Sequence, residues 1–263
     1  MGNNKRIQDA ATFLLKRHLI GEQGAQLPAD MRPTSIADAL AIQTQLSQLI
    51  CTHTNDVIGG WKCLLPSADK LVVAPIFKAN IHEHRLTPDF LHALPMDQNI
   101  KIEPELAFRF SDDLPLRQTP YSQQDIVAAL GSAHLALELI YVYYHQPQQC
   151  HYFDMLADGL VNQGLYLGPQ ISLHDAQQAS EITINIDFAQ TTLQLKGKHP
   201  NNLPMAPLVW LVNYLQSQGA PIVAGQTVIT GSYAGVIDVP LNTDINITYL
   251  GFAAMQVHFF WKS

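Results

Sequence analysis

The feature that most limits the fold is a change of hydrophobic period near Val57. Upstream, apolar residues recur at helical spacing; downstream they form short runs, alternating or continuous, cut by Gly and Pro. Two helices are predicted before the change, from about Lys5 to Leu19 and, past the loop between Pro28 and Pro33, from Ser35 to Cys51. Ser35 is placed to cap the second, in which Ile36, Leu40, Leu46 and Leu49 fall at roughly helical intervals. Beyond Val57, VIGGWKCLL and LVVAPIF read as strands broken by tight turns, EITINIDFA and TLQLKG as a hairpin, and TVITG, INITYL and MQVHFFW as closing strands. One further helix, LPMAPLVWLVNYLQSQG, should stop at Gly219. Strands so dispersed, with few helices between them, predict a curved mixed or antiparallel β-sheet rather than a doubly wound one. The chain is thus expected to be α+β: an N-terminal helical lobe over residues 1–56, packed as one unit with a β-rich domain over residues 57–263.

Charge narrows the partners. Acidic residues number 22 and basic residues 15, for a net charge of -7, and the basic ones are scattered, so a nucleic-acid backbone would be repelled. Charged residues make up only 14% of the chain, against the roughly 25% usual in globular proteins. So sparse a charged surface, with aromatics such as Trp210, Tyr249, Phe259 and Trp261 near predicted element surfaces, predicts a homo-oligomer. Lys5 and Arg6 precede an apolar run as in a secretory signal, but Gln8, Asp9, Lys16, Arg17 and His18 interrupt it, and an amphipathic helix fits better. No membrane segment is expected. Cys51, Cys63 and Cys150, odd in number and without a CxxC pair, suggest buried free thiols in a reducing compartment, hence a cytoplasmic protein.

The run IKIEPELAFRF carries the chemistry. As a strand it puts Ile102, Pro104, Leu106, Phe108 and Phe110 on one face and Glu103, Glu105, Ala107 and Arg109 on the other, with the two glutamates about 7 Å apart along the backbone. Pro104 argues for an edge strand or a bulge. Downstream, the stretch from Ser122 is expected to be helical through about His134 and then to pass into a strand carrying Glu138 between Leu137, Leu139 and Ile140. Carboxylates in such apolar surroundings are costly unless protonated or paired, and Mg2+ or Mn2+ would compensate them, with oxygens at about 2.1 Å. From spacing alone, however, two glutamates at i and i+2 read more simply as the wet face of a sheet.

Lys62 follows Gly59, Gly60 and Trp61, where glycine allows a turn or a close backbone approach to a ligand. Beside a cation its protonated form would be disfavoured, moving it toward use as a base; equally, its stem could lie on Trp61 with the amine in water. His82, Glu83 and His84 fit an exposed loop better than a ligand cluster. His145, Cys150 and His151 lie in a polar, glutamine-rich segment with no zinc-type spacing. His134 could orient Glu138 if the helix persisted that far. GSYAG at Gly231 suits a turn but lacks the setting of a serine nucleophile, and no dinucleotide or phosphate loop is present.

Taken together, WKCLLP, KIEPELAFRF, ALELI, the ADG stretch ending in YLGP, PLVWLVNYL and AGQTVITGS resemble, in order and spacing, the 2-keto-4-pentenoate hydratase family within the wider fumarylacetoacetate hydrolase superfamily. The resemblance runs from about Val57 to the C-terminus. It implies a fumarylacetoacetate-hydrolase-type sheet core, a metal site of Glu103, Glu105 and Glu138, and Lys62 as the proton-handling group. It also implies Mg2+ or Mn2+ as cofactor and a small 2-keto or 2-enol carboxylate as substrate. The implied activity is a metal-dependent hydratase, a lyase of aromatic compound catabolism, which isomerises a 2-hydroxy-2,4-dienoate through a metal-stabilised enolate and adds water in conjugate fashion. A related 2-keto acid decarboxylase would use the same enolate chemistry; a catalytically degenerate structural or regulatory subunit, paired with a pathway decarboxylase, is the reading from another class. The chain departs from the family pattern at Ile76, where Asp is usual after Pro75. It also departs at Tyr141 and Tyr143, in place of Asp and Arg, and at Gly159 and Val161, in place of two polar partners of Asp158. An apolar pocket around Ile76, Tyr141 and Val161 would favour the degenerate subunit.

Overall fold

The computed structural model describes residues 3–85 and 87–262. Helix α1 (Asn3–Ile20) and helix α2 (Ile36–Thr54) open the chain. Ser35 caps α2, its hydroxyl accepting from the Asp38 N–H at 3.1 Å, and Asn55 ends it in the left-handed region with φ 53°. Then come β1 (Ile58–Cys63), β2 (Val73–Phe77), β3 (Ile81–Glu83), β4 (Asp89–Ala93) and β5 (Asn99–Phe110). Helix α3 (Gln123–Ala128) leads into β6 (Leu130–Ile140), α4 (Tyr152–Ala157) into β7 (Asn162–Ile171), and α5 (Leu173–Gln178) into the hairpin of β8 (Glu181–Phe188) and β9 (Thr191–Lys198). Helix α6 (Met205–Ser217) precedes β10 (Thr227–Ile229), β11 (Ile237–Pro240), β12 (Asp244–Tyr249) and β13 (Ala254–Trp261).

Two sheets result. The larger has the order β2-β1-β10-β5-β6-β7-β3, with β11 also on β5; the smaller runs β4-β13-β12-β8-β9. Pairing is antiparallel except at β1 with β10, β3 with β7, and β4 with β13. This is the mixed, curved arrangement expected, with a helical lobe ahead of it. The core lies between the sheets, where Ile102, Leu106 and Phe108 of β5 and Leu135 and Leu137 of β6 share one cluster with Ile184, Ile247, Val257 and Phe259. The lobe has a smaller core of its own: Leu14 of α1, Leu27 of the loop after it and Ile42 of α2 pack with Leu156 of α4 and Ala74 of β2. Each fully buried leucine or isoleucine is worth about 1.5–3 kcal/mol. Arg17, 5% exposed, donates to the Tyr143 and Ala25 carbonyls and lies over the Tyr144 ring, tying α1 to the chain after β6. No helix among the described residues is long and apolar enough to cross a membrane.

Several expectations are corrected. Pro104 sits on neither an edge nor a bulge: β5 is central, flanked by β6 on one side and by β10 and β11 on the other. Partners on that second side span Asn99–Ile102 and Ala107–Arg109, and Pro104 falls in the gap between them, its carbonyl accepting from Tyr233 N at 3.0 Å. In an antiparallel ladder a residue's N–H and C=O point the same way, so the missing donor faces a stretch with no ladder to join. The helix predicted through His134 ends at Ala128, because Ala133, Leu135, Leu137 and Leu139 alternate into the core as a strand. His82 and Glu83 lie on strand β3 rather than in a loop. Tyr249 and Phe259, expected near surfaces, are buried, the tyrosine hydroxyl donating to the Ala136 carbonyl; Trp261 is exposed as expected. All three cysteines are free, but only Cys63 is buried.

Candidate metal centre

Parity on β5 resolves as the sequence suggested. Even-numbered residues enter the inter-sheet core, and Glu103, Glu105, Ala107 and Arg109 share the opposite face. On β6, Glu138 lies directly across from Glu103 and Ala136 across from Glu105. A non-adjacent strand supplies the cation of the chain itself. Lys62 on β1 pairs with Ile229 of β10, which pairs with Ala107 of β5, so its side chain reaches the same face. Gly60 permits that order: a Cβ there would stand 2.3 Å from the Thr227 carbonyl oxygen. The glycine therefore serves a close approach of strand to strand, not of backbone to ligand.

One carboxylate oxygen from each of Glu103, Glu105 and Glu138 can be chosen so that all three lie within 4.8 Å of one another. Glu105 is 2% exposed and Glu138 fully buried. Lys62 Nζ donates to Glu138 Oε1 at 2.5 Å and to the Leu160 carbonyl at 3.2 Å, so its amine is turned to the carboxylate cluster. Asn162 Nδ2 donates to the same Glu138 oxygen at 2.9 Å, and Gly231 N–H to Glu105 Oε2 at 2.8 Å. Glu138 Oε2 is buried with no hydrogen-bond partner. Burial, then repulsion from Glu138, pushes the Glu103 carboxyl up to about 7; burial and both neighbouring glutamates push Glu105 well above the carboxylate range. Burial alone would depress the Lys62 ammonium, but Glu138, then Glu103 and Glu105, outweigh it, and its affinity for the proton is raised. The chain's own charges thus favour the ammonium form of Lys62, and a cation held among the same carboxylates would oppose them.

Three carboxylates facing one ammonium leave negative charge in excess, and an orphaned buried carboxylate oxygen is what a hard divalent cation would ligate. The donor set therefore fits Mg2+ or Mn2+, with Glu103, Glu105 and Glu138 as the residues that would hold it. Beside the cluster on the same face lies an apolar floor of Ile76, Ala107, Ala136, Leu165, Leu167 and Ile229.

Other sequence candidates lie elsewhere. His134 bonds the Gly168 carbonyl and Ser132, not Glu138. His84 bonds Asp89, which also accepts from Tyr166, and Glu83 pairs with Arg109. Ile76 belongs to the apolar floor, whereas Tyr141 packs with Leu94 and Tyr143, so among the described residues Ile76 and Tyr141 fall in separate apolar clusters. Asn162 and Gly231 escaped the sequence reading. Gly231, with φ 126° and no room for a Cβ, left its mark in GSYAG, but a turn does not reveal which carboxylate its N–H will meet.

No protein-family model matches the chain, and no curated protein matches it in sequence. In structure it is similar to 4-oxalocrotonate decarboxylase from Pseudomonas putida G7, complexed with magnesium and adipate, with a TM-score of 0.79, 17% identity and 98% of each chain covered. It is also similar to a fumarylacetoacetate hydrolase family protein from Yersinia pestis, with a TM-score of 0.54 and 16% identity over 76% of this chain and 91% of that one. With 2-hydroxyhepta-2,4-diene-1,7-dioate isomerase from Mycobacterium marinum the TM-score is 0.52 and the identity 14%, over 79% of this chain and 77% of that one. At these identities the likeness shows a shared fold alone: an N-terminal helical lobe with a curved mixed sheet, the architecture of these proteins.

Proposed function

We propose that the chain is a divalent-cation-dependent decarboxylase of a small dicarboxylic 2-keto acid, with one Mg2+ or Mn2+ held by Glu103, Glu105 and Glu138. The observation that carries this is the buried, unpartnered oxygen of Glu138 beside two further carboxylates. When bound, the cation supplies a Lewis acid for negative charge developing on the substrate's 2-oxo oxygen. Asn162 and Lys62 fix the Glu138 carboxylate through one oxygen and leave the other free. Gly231 fixes Glu105, and the apolar floor keeps water from the reacting carbons. Electrons released when carbon dioxide departs must reach the 2-oxo group. The leaving carboxylate is therefore a second one, β to the ketone or conjugated with it, which makes the substrate a diacid.

Decarboxylation is preferred to the hydratase expectation because the likeness that spans both chains almost completely is to a decarboxylase, whereas hydration rests on the sequence blocks alone. Titration calorimetry should show Mg2+ or Mn2+ binding, and carbon dioxide release from 2-oxohex-3-enedioate should require the ion. Absence of binding by either ion up to about 10 mM would overturn the reading; hydration of 2-hydroxypenta-2,4-dienoate without carbon dioxide release would restore the hydratase. We propose further that the protein is a homo-oligomer, supported by its low charge and by exposed Ile20, Phe90 and Trp261. Light scattering at micromolar concentration that returned the 29.2 kDa monomer would remove this.

A further inference from the structure

The segment joining α4 to β7 has three consecutive residues at positive φ: Gly159 at 87°, Leu160 at 54° and Val161 at 60°. Glycine tolerates this region; a β-branched valine is an outlier there, and such strain persists only where surroundings enforce it. Here they do. The Leu160 carbonyl accepts from Lys62, Asn162 donates to Glu138, and Asp158 Oδ1 lies 2.8 Å from Nε2 of His18. One strained turn thus connects the carboxylate centre to a histidine from the last turn of α1, in the helical lobe.

The His18 side chain is 12% exposed and that of Asp158 4%. The His18 ring packs on Tyr143 with centroids 4.1 Å apart. With Nε2 engaged by Asp158, Nδ1 has no partner among the described residues, nor has the hydroxyl of Tyr143, a residue 7% exposed. Both side chains line a cleft shared with Asp158, Gly159 and Asn162, and this adjoins a second cleft of about 250 Å³. A buried carboxylate that orients an imidazole lining a cleft, with the second ring nitrogen left unpartnered among the described residues, suits general acid–base catalysis. Lys62, tied to Glu138, is poorly suited to that task.

We propose that His18, oriented by Asp158, is the proton-transferring residue of the reaction, an inference that rests on the enolate-forming activity proposed above. As the carbon–carbon bond to the leaving carboxylate breaks, its electron pair forms the enolate and carbon dioxide departs. The enolate carbon then takes the proton from Nδ1 of the His18 imidazolium, which forms a C–H bond and restores the ketone; water returns a proton to the neutral imidazole. The titratable and charged groups that share these clefts with His18 are Asp158, Tyr143, Asp56 and Lys262. Arg17, next in the chain, is turned to the Tyr143 and Ala25 carbonyls.

The test uses the full chain with Mg2+. His18→Gln should lower kcat at least 100-fold, within the usual range for a lost acid–base group, leave KM within about threefold, and abolish the limb of the pH profile that follows imidazolium. Asp158→Asn should shift that limb with a smaller loss of kcat. The inert probe 2-oxoadipate, added with Mg2+, should move the ring 15N resonance of His18, assigned by its loss in His18→Gln or its displacement in Asp158→Asn. If kcat of His18→Gln stays within about threefold of wild type, or the probe binds by calorimetry without moving the His18 resonance, the proposal is wrong and the proposed activity stands. If neither Mg2+ nor the probe binds wild type, the activity itself fails and the role of His18 falls with it.

Discussion

The two ends of one face of β5 carry charge in opposite ways. At one end Glu103 and Glu105, with Glu138 opposite, form a buried cluster of three carboxylates for one ammonium. At the other, Arg109 donates to Glu83 at 2.5 Å, one charge for one, with the side chains 28% and 48% exposed. Proton affinities follow. The hydrogen bond from Arg109 holds the Glu83 carboxyl below its usual range, whereas burial drives Glu103 and Glu105 above theirs. The wet-face reading of alternating charged residues is thus correct for Arg109 and wrong for Glu105, four positions away. Burial and an unbalanced count, not charge on a sheet face as such, mark the functional end.

The largest effect that could break this contrast comes from Lys62. Lys62→Met leaves Glu138 fully buried without its ammonium, and loss of one partner from a buried pair costs about 3–5 kcal/mol. In EDTA the variant should melt roughly 10 °C below wild type, since each kcal/mol moves a domain of this size by about 2–4 °C. Mg2+ should restore most of the loss and bind as tightly as to wild type, or more so. A variant as stable as wild type in EDTA would show that the cluster is already neutralised by protons.

Glu105→Gln comes next. It keeps the shape, removes a ligand charge and should weaken Mg2+ about tenfold or more, some 1.4 kcal/mol, while suppressing carbon dioxide release. Its effect on stability should change sign with the medium. In EDTA, removal of a surplus buried negative charge should raise the melting temperature; in saturating Mg2+, wild type should melt higher. Thermal melts in the two buffers check both signs, and a lower melting temperature in both would make Glu105 an ordinary structural residue.

Such sites are only partly legible in sequence. Alternation placed Glu103 and Glu105 together because side-chain direction in a strand is local, and the same logic found the β8–β9 hairpin and the Ser35 cap. Resemblance, not period, supplied Glu138 and Lys62. Their meeting depends on sheet order, in which β1 joins β5 only through β10, a strand from late in the chain. His18 and Asn162 gave no signal at all. A histidine in an amphipathic helix looks like any other, and its partner lies 140 residues away. The α3–β6 boundary was misjudged because Ala and Leu suit a helix as well as a strand until the sheet imposes its own period.

A smaller effect concerns the turn that supports Glu105. His199, 1% exposed, accepts from Asn201 N at Nδ1 and meets Thr230 Oγ1 at Nε2, immediately before Gly231. Burial pushes its imidazole down from 6.5 to about 4. Between those values the unfolded chain takes up a proton that the folded one refuses. The stabilising contribution of neutral His199 is therefore full above pH 6.5 and lost as pH falls toward 4. Denaturant unfolding of wild type across this window should show the decline, and His199→Asn, which does not titrate, should flatten it. An unchanged slope in the variant would assign the acid sensitivity to other groups.

The smallest effect sharpens the comparison most. Exposed ion pairs contribute about 0.2–1 kcal/mol, so Arg109→Met should lower stability by no more than that, and by less in high salt. Arg109 and Glu105 are four residues apart on one strand, about 13 Å, beyond the screening length of about 8 Å at physiological ionic strength. Mg2+ affinity and carbon dioxide release should therefore match wild type in both Arg109→Met and Glu83→Gln. The path between the two ends is apolar, since Ala107 stands between them and Ile229 and Ala136 belong to the same floor. A change of more than about threefold in Mg2+ affinity, near 0.65 kcal/mol, would show that the guanidinium is felt through that low-dielectric floor and that the two ends form one electrostatic unit.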